Sequence, residues 1–232
     1  MATYFIADIH AHYDLFIKLL GKINFSSNDK MIILGDIIDK GDSSIKMIKF
    51  VRNCPNIQMI LGNHEYYFLQ EYHNLMKNFK DGEDIDNILI KLQKYFPDEN
   101  VKLDWDDIDY LDNLPYYIET EKYICVHAGL ETDINDNIKP LDKTDYNYFL
   151  FDRTLKSASF IPKINKTIIF GHTPCYYDNS TGEFIKTPRQ EVLNPQKLED
   201  YSKIRLDTGV YITNMLGTLR LEDMKEFYVR EW

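Results

Sequence analysis

Cysteine, basic residues and long apolar runs are all scarce in this 232-residue chain. The three cysteines, Cys54, Cys125 and Cys175, are widely spaced and odd in number, which excludes a disulfide framework and implies reduced thiols. Lys and Arg total 27 against 37 acidic residues, a formal charge of −10. That balance excludes a surface built to neutralise nucleic-acid phosphates regardless of sequence, which needs clustered cations. No apolar run approaches the ~18 residues that span a bilayer, and the opening MATYFIADIH has no basic segment of the kind that starts a secretory leader. The expectation is a cytoplasmic protein with neither membrane nor nucleic-acid partner. Repeats, low-complexity tracts and Pro/Gly/Ser-rich linkers are also missing, so residues 1–232 are expected to form one domain.

What is present is a set of short apolar runs: TYFIAD (3–8), KMIILGD (30–36), NIQMILGN (56–63), KYICVHA (122–128), KTIIFGH (166–172), KIRLDTG (203–209) and GTLRLED (217–223). Between the first three lie DLFIKLLGKI (14–23) and SIKMIKFVRN (44–53), with apolar residues at helical spacing. The alternation predicts a βαβαβ start and an α/β fold. From about 66 to 114 the pattern is helical, with DGED as a separator, and predicts an insertion overhanging one end of the sheet. Residues 173–202 have turn-forming residues and little periodicity, so they read as a long surface loop.

Five of the runs end in metal-binding or acid/base side chains: Asp8 and His10, Asp36 and Asp39, Asn63 and His64, His127, and His172. Singly, a strand-end Asp or Asn reads as a turn or helix cap. Capping does not account for four of the six histidines standing at the same strand ends. Ligands of α/β sheets bind beyond the carboxyl ends of the strands, where these groups would meet. Carboxylate, imidazole and amide oxygen without thiolate suit Mn, Fe or Zn in a catalytic site. Two such ions can clamp an in-line displacement at phosphorus, so phosphate-ester hydrolysis by a metal-generated hydroxide is expected.

In order, DIHAHYDLFIKLL, LGDIIDKGDSS, LGNHE, VHAGL and FGHTP resemble the motifs of the calcineurin-like metallophosphoesterases. The phosphoprotein phosphatase branch, with its phage-type Ser/Thr phosphatases and diadenosine polyphosphate hydrolases, is the most similar. The resemblance implies a central β-sandwich flanked by helices. It makes Asp8 and His10 ligands of one metal, Asp36 the bridging carboxylate, and Asn63, His127 and His172 ligands of a second metal. It implies two divalent ions, manganese first with iron or zinc as alternatives. His64 then resembles the general acid, oriented by Asp39, and Arg153 and Lys40 fall where the family grips the substrate phosphate. Lys40 departs from the family's arginine, replacing a bidentate fork with a point charge. A phosphorylated protein or small phosphate ester is the expected substrate, and a diadenosine polyphosphate the alternative. The preference rests on the acidity of DWDDIDYLD (104–112), which would repel polyphosphate if it faced the site. A non-catalytic scaffold is the remote third reading.

Overall fold

The computed structural model describes residues 1–80, 84–96 and 100–231. Most of the DGED separator, residues 81–83, lies outside them. All seven apolar runs form strands, but each of the five that lead to the candidate site stops short of its polar residue. The first sheet has the order β10-β9-β1-β2-β3, from β1 (Thr3–Ile6), β2 (Lys30–Ile33), β3 (Ile57–Met59), β9 (Met215–Arg220) and β10 (Glu226–Arg230). The second has the order β4-β5-β6-β8-β7, from β4 (Tyr117–Glu119), β5 (Tyr123–Val126), β6 (Thr167–Phe170), β7 (Ile185–Pro188) and β8 (Tyr201–Arg205). In each sheet three strands run parallel, β1-β2-β3 and β5-β6-β8, and the flanking strands are antiparallel.

Alternation along these strands decides how the sheets stack. Phe5, Ala7, Ile32, Leu34 and Ile60 of the first sheet meet Cys125, Ile169, Ile204 and Leu206 of the second in one buried layer. Each fully buried Phe or Ile contributes about 1.5–3 kcal/mol, so the layer fixes the relation of the two sheets. The opposite face of the first sheet, through Tyr4, Ile6, Met31 and Ile33, carries helices α1 (Tyr13–Lys22) and α2 (Ser44–Arg52).

The insertion differs from expectation at its start. Helix α3 spans Asn63–Lys77, so Asn63 and His64 occupy its first turn rather than a strand end. Helices α4 (Asp86–Gln93) and α5 (Trp105–Asp112) complete the insertion. Their Ile88, Leu92, Ile108 and Leu111 join the same core cluster as α1 and α2, with α5 against α2 and α3, and α4 against α3, because their apolar stripe needs a partner. Asp104 and Asp107 of DWDDIDYLD meet cations of α2. Lys49 pairs with Asp104 and with Asp107 (2.6 Å), and Arg52 Nη1 donates to Asp104 (3.1 Å). These cations stand at the carboxyl end of α2, whereas Ser44, at its amino end, serves the candidate site. Pairing within the fold thus weakens the repulsion that Asp104 and Asp107 could exert on a polyphosphate.

Helix α6 (Tyr146–Phe151) precedes Arg153. The expected loop over 173–202 instead contains helix α7 (Tyr176–Asn179) and the edge strand β7, which Pro188 can end without breaking an interior ladder. Helix α8 (Val210–Thr213) follows the LDTG turn.

Candidate metal centre

Backbone strain marks the place where the strands give way to loops. Asp8, His10 and Ala11 after β1, Asp36, Asp39 and Lys40 after β2, and His172 after β6 all have φ between 48° and 67°. A non-glycine residue pays about 1–2 kcal/mol for this left-handed conformation, so other contacts must hold it. The β1 and β2 loops brace each other: His10 N–H donates to Asp36 O (2.9 Å) and Ala11 N–H to Ile37 O (2.7 Å). Gly35 and Gly62 let the loops close up. A Cβ on Gly62 would lie 2.2 Å from Asp36 Oδ1, and one on Gly35, at φ +84°, 2.5 Å from Gly62 Cα.

Buried Glu65 supplies the strongest support. Its carboxylate accepts N–H groups from Asp36 (2.8 Å), Ile37 (2.8 Å), Ile38 (3.3 Å) and Gly62 (3.1 Å). Glu65→Ala leaves these buried donors unpaired at about 1–3 kcal/mol each, so a loss of at least about 3 kcal/mol is expected. Thermal unfolding should then shift down by about 6–12 °C. A shift below 2 °C would show that the loop does not depend on Glu65.

Around this frame, Asp36 Oδ2 lies 3.9 Å from His10 Nε2, 3.9 Å from His64 Nε2 and 3.5 Å from His127 Nε2. A second triangle is tighter. Asn63 Oδ1 is 2.8 Å from His127 Nε2 and 2.8 Å from His172 Nδ1, and those two nitrogens are 3.2 Å apart. Ligand atoms ~2.1 Å from a tetrahedral metal lie ~3.4 Å apart, so both sets have the spacing of a coordination shell. Among the described residues, His10–Asp36–His64 and Asp36–His127–His172 are the groups that could hold a metal ion, with Asp36 common to both. The tautomers agree with ligation. His127 Nδ1–H donates to Leu34 O (2.7 Å) and His10 Nδ1–H to Ile38 O (3.1 Å), which turns each Nε2 lone pair inward.

The electrostatics also favour cations. Burial, then Asp207 and Asp36, hold the Asp8 carboxyl well above its ordinary range. Burial pushes Asp36 up as well, yet His127, His10 and His64 outweigh it and bring it down to about 2. Burial lowers His10 and His172 to about 3, helped by Lys40 at His10 and by His127 at His172, so both are neutral donors at neutral pH. Buried like charges beside neutral imidazoles, with no thiolate among them, fit divalent cations.

The remaining expected residues fall around this centre. Asp8 is in neither cluster; its carboxylate accepts the His172 N–H (2.9 Å to Oδ2). Asp39 Oδ2 accepts from His64 Nδ1 (2.7 Å), and although burial lowers the His64 pKa, that bond and Asp36 raise it above the ordinary value. Lys40 Nζ donates to His10 Nε2 (2.9 Å) and lies 4.2 Å from the Tyr211 ring centroid. Arg153 Nη1 donates to Thr173 Oγ1 (3.4 Å), and among the described residues it pairs with no carboxylate. Cys175 is buried, and among the described residues it belongs to no metal-type group. His73 pairs with Asp112 (2.9 Å), apart from the centre.

Sequence reasoning missed Glu65, Asp207 and Tyr211. Glu65 ends the LGNHE run and Asp207 opens the DTG run, so the signal was present in both. Asp207 is buried, and burial followed by Asp36 raises its pKa to about 7, opposed by the Gly209 amide. Nothing in the sequence marked Tyr211 among so many tyrosines.

The sequence model of the calcineurin-like phosphoesterases matches residues 1–206. The chain belongs to the calcineurin-like phosphoesterase family. Among the curated relatives of this phosphoesterase is a symmetrical bis(5'-nucleosyl)-tetraphosphatase of Buchnera aphidicola, 35% identical over 104 residues, 40% of this chain and 37% of the relative. Another, from Haemophilus influenzae (strain PittEE), is 29% identical over 137 residues, 57% of this chain and 46% of the relative. The phosphoesterase chain thus aligns with less than half the length of either. Its fold matches the crystal structure of a putative diadenosine tetraphosphatase, with TM-score 0.68, 19% identity, and coverage of 100% of this chain and 94% of that one. It also matches a metallophosphoesterase from Sphaerobacter thermophilus, with TM-score 0.58, 14% identity, and coverage of 100% and 89%.

Proposed function

We propose that this phosphoesterase is a dinuclear-metal hydrolase of phosphate esters and anhydrides, with the anhydride-linked dinucleoside polyphosphates as its substrate class. The observation that carries the reading is the position of Asp36 Oδ2, 3.5–3.9 Å from imidazole nitrogens delivered by three separate segments. Asp8, His10 and Asp36 would hold one cation, and Asp36, Asn63, His127 and His172 the other. Two bound ions, manganese by preference, would activate water and neutralise charge on phosphoryl oxygens. The chain itself does the rest. Arg153 and Lys40 orient the phosphate, Arg153 through a bidentate fork and Lys40 as a point charge. The oxygen of a water that has released a proton to solvent joins phosphorus, the bond to the leaving oxygen breaks, and His64, kept protonated by Asp39, gives that oxygen its proton.

Three observations favour the nucleotide over a phosphoprotein, reversing the preference drawn from the acidic stretch. Asp104, Asp106 and Asp107 of that stretch pair with Lys49 and Arg52, which weakens the repulsion it could exert on phosphates. The relatives' names specify bis(5'-nucleosyl) tetraphosphates. Exposed Tyr176 and Tyr177 follow the His172 loop, and Tyr211 flanks Lys40, offering rings on which a base can stack. Residues 1–232 act as one domain in this reading, since β9 and β10 complete the sheet that β1 begins. The three free cysteines suit a reducing, cytoplasmic setting.

A turnover panel under Mn decides the substrate class. Base stacking is worth about 1–3 kcal/mol, so kcat/KM for diadenosine tetraphosphate should exceed that for a phosphoserine peptide by at least about fivefold. A peptide preference would return the site to the protein-phosphatase reading.

A further inference from the structure

In a chain with ten more acids than bases, one cavity carries the opposite sign. Lys203 and Arg205 of β8 lie on the outward face of the second sheet, each only 2% exposed. Arg205 is in register with Phe170 of β6 and Ile185 of β7, and Lys203 with Thr187. The segment 155–158 and Asp178 complete the walls of a cavity of about 360 Å³. That volume falls in the ~300–1,000 Å³ range of small-molecule sites.

The cations are incompletely answered. Lys203 Nζ donates to the carbonyls of Ser157 and Phe160, and Arg205 Nη2 to Asp178. Arg205 Nε and Nη1 are buried and have no hydrogen-bond partner among the described residues. Burial and then Arg205 lower Lys203 to about 8, so it is still cationic at neutral pH. Two buried positive charges thus face one carboxylate, itself on an exposed side chain. Buried charged donors left unpaired are costly, and an anion on Arg205 would recover that cost. Leu155, Phe170 and Ile185 make the rest of the wall apolar.

We propose that this cavity is an anion site, separate from the metal centre, for the phosphate group of a small organic molecule. The phosphate pairs with the Arg205 guanidinium, in place of Asp178, and the organic body packs on Leu155, Phe170 and Ile185. The segments that bound the cavity continue from Arg153 and His172, so occupancy lies one short stretch of chain from each.

Equilibrium dialysis of the full chain with inorganic phosphate and phenylphosphonate tests the site, with and without chelator. Chelated protein should retain one anion per chain, and this arm reads the cavity whether or not the metal centre hydrolyses anything. Arg205→Met should weaken that binding by at least about tenfold, the loss of charge-assisted hydrogen bonds. Asp178→Asn, a change at an exposed position, should tighten it by removing the competing carboxylate. Phenylphosphonate should bind more tightly than phosphate. No anion on chelated protein, or anion binding insensitive to both substitutions, overturns the proposal. Should Arg205→Met fail to fold, Asp178→Asn decides: unchanged or weaker binding rejects the site. Phenylphosphonate no tighter than phosphate rejects the organic body.

Discussion

Asp36→Asn is expected to lower turnover by about 10³-fold or more while leaving the fold intact. Asparagine keeps the volume and the oxygen that accepts the His64 N–H (3.0 Å), so the α3 turn should survive. It removes the one anion shared by both histidine groups. Bound cations supply several kcal/mol of charge stabilisation in phosphoryl displacement, and each 1.36 kcal/mol is tenfold in rate. The variant should therefore bind fewer metals and turn over slowly, with little change in unfolding temperature. Near-normal turnover with two metals bound would remove Asp36 from the bridging role.

His64→Ala should show a loss that depends on the leaving group. General-acid catalysis contributes about 10²–10⁴-fold, and most where the departing oxygen is strongly basic. An alkyl phosphate should lose that full factor. An aryl phosphate or a nucleotide leaving group needs its proton less and should lose little. Asp39→Asn should show the same pattern in weaker form, because it removes the carboxylate 2.7 Å from His64 Nδ1 and leaves the ring in place. Uniform losses across leaving groups would assign His64 a positioning role instead. Its place in the His10–Asp36 group makes that alternative concrete.

The strands and candidate ligands were legible because both leave local marks. An apolar run that stops at His127 or His172 announces a buried strand and a reason for it to end. What escaped the sequence depends on partners far along the chain. Asp104 and Asp107 read as a repulsive acidic face, but Lys49 and Arg52, more than fifty residues earlier, neutralise them. Strand β7 was hidden in a loop because its pairing with β8 arises from the sheet rather than from its own short, proline-ended sequence. Glu65 stood in view in LGNHE, but its bonds to the backbone N–H groups of residues 36–38 depend on how β2 and α3 meet, which the motif does not spell out. The left-handed φ angles at Asp8, His10, Asp36 and His172 were equally invisible, since strain follows from the requirement that distant loops meet.

Metal reconstitution tests the central claim most directly. Protein stripped by a chelator is titrated with Mn while bound metal and hydrolysis of diadenosine tetraphosphate are measured together. The expected result is no turnover at zero metal, two ions bound per chain at saturation, and activity that rises as the sites fill. Undiminished hydrolysis by metal-free protein would contradict the account.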